Sequence, residues 1–171
     1  MNFKIISTTL ILFCVSNCGF QPIYQKPSEE SWINYEDRLA AIKISTKRKR
    51  IDQKLRDNLG KVLNPNKIRI EKKYLLSIDL DKSTIGTFIN PTGSVGRNKV
   101  TLTVNYKLIR IADNETISTG SISAKDDFNV EEKRFANYIT EEEMELNLTQ
   151  LIAQNIRNSL INDLILEVIP F

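Results

Sequence analysis

The sequence predicts a two-layer α/β sandwich: a four-stranded mixed sheet with two helices on one face, in the order β-α-β-β-β-α. Two observations carry that prediction. Val100, Leu102, Val104, Tyr106 and Leu108 alternate with Thr101, Thr103, Asn105 and Lys107, the pattern of a strand buried on one side of an antiparallel sheet. Segments of helical period lie before and after the strands, and each amphipathic element needs one cover, which helices laid on one sheet face provide. One domain over residues 39–171 is enough for such a core.

Leu39, Ala40, Ile42 and Ile44 predict a short first strand. Ile51, Leu55, Leu59, Val62 and Leu63 follow at i, i+4, i+8, i+11 and i+12, one face of a helix, which Asn64-Pro65-Asn66 ends. Gly60 weakens this helix, and the sequence shows no reason for it. In the second strand, Tyr74, Leu76, Ile78 and Leu80 alternate with Ser77, Asp79 and Asp81. The turn-rich run from Asn90 to Gly96 leads to the third strand. A fourth, from about residue 116 to 125, follows Asp113-Asn114-Glu115 and closes a hairpin. The last helix is expected to be capped by Thr140, with Glu143 reaching back, and to run from Met144 to about Leu166. Its apolar positions wind around the axis, so it should touch the sheet and also the first helix or a partner.

Ahead of the domain, Lys4 and an apolar run over residues 5–13 close on Val15-Ser16-Asn17-Cys18. That is the layout of a lipoprotein signal peptide over residues 1–17, with Cys18 as the lipidated first residue of the mature chain. Asn17 stands where such sites usually carry a small residue. The run is too short to span a bilayer, which takes about 20 residues, but acyl chains on Cys18, at about 0.8 kcal/mol per buried CH₂, would hold the protein on a membrane. Residues 18–38, with Pro22, Pro27 and no sustained period, read as lipid anchor and tether. Phe20, Ile23, Tyr24 and Trp32 imply that part of this segment packs on the domain or a partner. With Cys14 removed and Cys18 capped, no disulfide is expected.

The net charge of +3 does not point to a nucleic-acid partner. The chain has no histidine, so the commonest general base and metal ligand is missing, and lipidated Cys18 is no nucleophile. Asp79 and Asp81 share a strand face but read as a solvated edge, and the Gly93/Gly96 pair is a turn rather than a phosphate loop. The expectation is therefore a protein that is not an enzyme and holds no metal or cofactor. The strongest local charge is Lys47-Arg48-Lys49-Arg50, just before the first helix. Such a group at a helix N-terminus suits phosphates through point charges, guanidinium forks and backbone amides, making it a candidate anionic-lipid contact; a solvated loop is the other reading.

Cys18-Gly19-Phe20-Gln21-Pro22-Ile23-Tyr24 resembles the mature start of the alphaproteobacterial LptE family, lipopolysaccharide-assembly lipoproteins. Gln53-Lys54-Leu55-Arg56-Asp57-Asn58-Leu59 is similar to that family's first-helix stretch, and the long closing helix is shared. The resemblance implies a lipid-anchored, periplasm-facing outer-membrane lipoprotein that plugs and stabilises the LptD β-barrel. It also implies help in lipopolysaccharide transport and insertion into the outer leaflet, with the lipid A phosphates as ligand. Gly19 after the cysteine fits release to the outer membrane. The residues alone leave another reading open, a lipid-anchored binding module or envelope scaffold unrelated to lipopolysaccharide.

Overall fold

The computed structural model describes residues 29–89, 93 and 95–166. The signal peptide, Cys18 and the tether up to residue 28 lie outside the described residues, as do Asn90, Pro91, Thr92 and Ser94 of the long connection. In chain order the elements are α1 (Glu29–Ala40), β1 (Ile42–Ser45), α2 (Arg50–Leu63), β2 (Tyr74–Ile89), β3 (Val95–Arg110), β4 (Thr116–Asn129) and α3 (Arg134–Leu166). The strands form one sheet in the order β1-β2-β3-β4. β1 runs parallel to β2, and the other two pairings are antiparallel. The predicted β-α-β-β-β-α order is present, with one more helix in front.

That extra helix corrects the sequence reading. Residues 29–38 are helical rather than tether, and Leu39 and Ala40 end α1 instead of opening the first strand, which starts at Ile42. Tyr35 and Leu39, one helical turn apart, reach the core; two anchors on so short a helix leave little periodic signal. Ala41 makes the turn, its amide donating to Asp37 O and its carbonyl accepting from Lys73 N and Tyr74 N.

Both periodicities meet in a single core. Leu55, Leu59 and Leu63 of α2 and Leu148, Ile152, Ile156, Leu160 and Leu164 of α3 pack on Leu76, Ile78, Leu80, Val100, Leu102, Val104, Tyr106 and Leu108. Burying each such side chain stabilises the fold by about 1.5–3 kcal/mol before entropy is counted. The register pairs apolar positions across strands, Leu80 with Val104 and Leu76 with Leu108, and so fixes which face is buried. The opposite face carries Ser77, Asp79, Asp81, Asn105, Lys107, Ser121 and Ser123, all exposed.

The strands outrun their predicted lengths. β2 continues to Ile89 and β4 to Asn129, because the hairpin pairings persist: Ile85 pairs with Lys99, and Asn98 with Phe128, which is buried in the core. Without a covering layer the apolar alternation fades, and β2 is exposed from Asp81 to Ile89.

The start of α3 is a second correction. The helix begins at Arg134, not at Thr140, and the Thr140 hydroxyl donates to Ala136 O one turn back, a bond made inside a helix. Asn137 fastens the true start, accepting from Glu131 N at 2.7 Å and donating to Glu131 O at 2.8 Å. At about 1.5 Å per residue α3 is roughly 50 Å long. Its buried positions recur every four residues from Met144 to Leu164, a stripe that winds around the axis and follows the twisted sheet.

Polar groups in the interior are paired. Buried Asn58 donates through Nδ2 to Thr149 Oγ1 at 3.0 Å, joining α2 to α3. The Tyr106 hydroxyl meets Ser159 Oγ at 2.7 Å, and Ser118 Oγ donates to the Asp163 carboxylate. Tyr106 lies over its cross-strand partner Gly120, where a Cβ would fall 2.5 Å from the Tyr106 hydroxyl oxygen. Glycine is required there by the ring, not by a turn.

Candidate functional site

The loop between β1 and α2 and the first residue of that helix carry the four basic residues that the sequence singles out, and the structure divides them. Lys47 Nζ lies 2.5 Å from Asp79 Oδ1 on β2, both side chains being more than half exposed. The hydrogen bond and the charge of Asp79 raise the Lys47 pKa above its ordinary value. Arg50 donates to the Tyr138 hydroxyl at 2.6 Å and pairs with Glu142 at 2.9 Å; these two contacts, in that order, hold its pKa up. No ion pair or side-chain hydrogen bond engages Arg48 or Lys49 among the described residues. At the helix start Asp52 Oδ2 accepts from Lys49 N at 3.1 Å, so a carboxylate of the chain already occupies that amide. Two free cations remain where the sequence shows four.

Beside the loop stands an ion-pair network that the sequence does not announce. Lys54 of α2 reaches Glu142 at 2.9 Å and Glu145 at 2.7 Å. Lys82 of β2 reaches Glu141 at 2.5 Å and Glu145 at 2.6 Å. Glu145 joins the two lysines and its side chain is only 10% exposed. Burial alone would raise its pKa, but hydrogen bonds from Lys54 and Lys82 outweigh burial and hold it below the usual carboxylate value. Burial likewise pushes both lysines down, and the bonds to their glutamates reverse it, so both pKa values rise. With Arg50, three cations face three carboxylates, an arrangement that clamps α2, β2 and α3 together. Glu141 and Glu142, beside the expected cap residue Thr140, belong to this clamp, whereas Glu143 is exposed and lies outside it.

Beyond the clamp, the outer end of β2 and the first turns of α3 expose Phe88, Ile89, Phe135, Tyr138 and Ile139. Val130 N donates to Gly96 O at 3.0 Å, and the Thr84 hydroxyl to Glu141 Oε1 at 3.4 Å, tying the hairpin to the approach of α3. Asp79 and Asp81 are exposed on the uncovered sheet face, as the sequence suggests. Among the described residues no cluster of His, Cys, Asp or Glu is arranged to hold a metal, and no helix is long and apolar enough to cross a membrane.

An α-β-α-β-β-β-α chain of this topology has counterparts among solved structures. A lipoprotein from Caulobacter crescentus superposes with a TM-score of 0.66 at 14% identity, over 80% of this chain and 99% of its own. A minor lipoprotein from Acinetobacter baumannii gives 0.55 at 14% identity over 71% of this chain and 90% of its own. A lipoprotein B from Nitrosomonas europaea gives 0.52 at 15% identity over 68% and 78%. At these identities the shared property is the fold. No protein-family model matches the chain, and no curated protein matches it in sequence.

Proposed function

We propose that this chain is a lipid-anchored envelope protein of the LptE kind, which plugs and stabilises the LptD β-barrel and assists lipopolysaccharide transport to the outer leaflet. The observation that carries the reading is the Val15-Ser16-Asn17-Cys18 site with its Gly19-Phe20-Gln21-Pro22-Ile23-Tyr24 continuation, placed ahead of a domain whose fold is that of solved lipoproteins. The exposed apolar end at Phe88, Ile89 and Phe135 supports a life in a complex, since apolar surface of this kind marks interaction sites. Arg48 and Lys49 supply the residual basic contact for lipid A phosphates.

Mass spectrometry of the mature N-terminus tests the anchor: a diacyl or triacyl Cys18 is expected, and an unmodified N-terminus at another residue would remove it. The basic contact is tested by Arg48→Glu together with Lys49→Glu. Among the described residues these side chains have no partner to lose, so the melting curve should stay unchanged while affinity for lipopolysaccharide falls several-fold at low salt. Added salt should weaken the wild-type interaction through screening. Equal affinity of the variant and the wild type at low salt would return the loop to a solvated role. Lys47 and Arg50 stay untouched in this test, because reversing them would place carboxylates against Asp79 and Glu142.

A further inference from the structure

At the opposite side of α2 an open groove of ≈ 790 Å³ runs between that helix and β1, a size within the range of small-ligand sites. Ile42, Lys43 and Ile44 all line it. Consecutive strand residues point to opposite faces, so the groove follows the strand's outer edge rather than either face. Among the described residues β1 is the sheet edge, paired on one side only, and an edge strand offers backbone donors and acceptors to an added chain.

Three features of the groove bear on what could dock there. Lys43, Arg56, Lys61 and Lys67 line it without an ion pair or side-chain hydrogen bond among the described residues, against one acid, Asp57. Lys67 is held at φ 51°, a left-handed conformation that costs a side-chain-bearing residue. The turn that imposes it is locked by Asn64, which accepts from Ile68 N at 2.8 Å and donates to Ile68 O at 2.9 Å. Gly60 lies within α2 with nothing within 4 Å of where its Cβ would stand. After proline, glycine is the poorest residue for a helix interior, and neither packing nor a positive φ calls for it here. Absence of a side chain serves close approach of another chain to the helix.

We infer that the β1–α2 groove is a docking site for an acidic extended polypeptide segment, which adds to the β1 edge as a further strand. Its backbone pairs with β1, its carboxylates meet Lys43, Arg56, Lys61 and Lys67, and a side chain occupies the space beside Gly60. Strand addition takes affinity from main-chain hydrogen bonds and specificity from side-chain contacts. An acyl chain fits less well, because the apolar residues below the rim, Leu39, Ile42 and Leu63, are already buried by the protein itself. The inference is independent of the lipopolysaccharide reading.

The test uses the full chain, purified from membranes in a neutral detergent, and a fluorescein-labelled peptide of four Val-Glu repeats. Fluorescence anisotropy should show saturable binding, at least ten-fold tighter than for four Pro-Glu repeats of equal charge, which cannot donate from proline to a strand. Gly60→Leu should weaken binding at least ten-fold while leaving the melting temperature unchanged or higher, since the site is open and leucine favours helix. Lys43→Glu with Lys61→Glu should also abolish it. Equal binding of both peptides would reduce the groove to a charge site, and unchanged binding by Gly60→Leu would place the contact elsewhere; either overturns the inference. Failure of the Val-Glu peptide to bind, with phosphatidylglycerol vesicles bound instead through Lys43 and Lys61, would overturn it in favour of a lipid surface.

Discussion

Gly120→Val should destabilise the protein by about 3 kcal/mol, at the upper end of what overpacking costs. The new Cβ would fall 2.5 Å from the Tyr106 hydroxyl oxygen and 2.7 Å from its Cε1. The ring cannot swing aside freely, because Tyr106 is buried and its hydroxyl is bound to Ser159 of α3. Moving it would open the sheet-helix layer at that point. Valine's strand preference and the lower entropy of its unfolded chain work the other way, each by less than about 1 kcal/mol. For a chain of this length the loss corresponds to a fall of roughly 6–12 °C in melting temperature. Calorimetry of Gly120→Val, Tyr106→Val and the double variant checks it: the double variant should be more stable than the sum of the single effects predicts, because the clash vanishes with the ring. Additive losses would mean that the ring is not what requires glycine.

Glu145→Gln should cost about 1–3 kcal/mol at neutral pH. Removing one partner of a buried ion pair costs about 3–5 kcal/mol. Here the lysine side chains remain 17% and 28% exposed and keep Glu142 and Glu141 as partners, which lowers the figure. The pH dependence carries the sharper signature. The Glu145 pKa is depressed in the folded protein, so its contribution is fully present above the unfolded carboxylate value of about 4.3 and is lost as pH falls through the lower folded value. Lys54 and Lys82 have raised values; their contribution is present below about 10.4 and is lost as pH rises through those values. Urea titrations from acid to neutral pH should show the wild type converging on the variant at the acid end. A gap between them that stays constant down to pH 2 would assign the loss to packing instead of charge.

The sheet and α2 were legible because strict alternation over Val100 to Leu108 and i+4 spacing from Ile51 to Leu63 leave one way to bury each face. α1 was not, since among its residues with a described side chain only Tyr35, Leu39 and the small Ala40 at its end reach the interior. Thr140 to Glu143 has the composition of a helix cap, and nothing local distinguishes a cap from the same residues one turn inside a helix. The clamp was invisible for another reason: Lys54 and Glu145 are 91 positions apart, and Lys82 and Glu145 are 63 apart, so only the folded topology brings them together. For the basic loop, the sequence displayed the charges but not that Asp79 and Glu142 engage Lys47 and Arg50. Gly60 stood out in the sequence as a glycine without a reason, and the structure gives it open space beside a basic strand edge.

The proposed role as a barrel plug is tested most directly by affinity purification of the tagged mature protein from native outer membranes, beside an unrelated lipoprotein carrying the same anchor. This chain alone should bring down an outer-membrane β-barrel, LptD, in near-equal amount, and the pair should survive detergent and moderate salt. Recovery of no barrel, or of the same barrel in equal amount with the control lipoprotein, would contradict it.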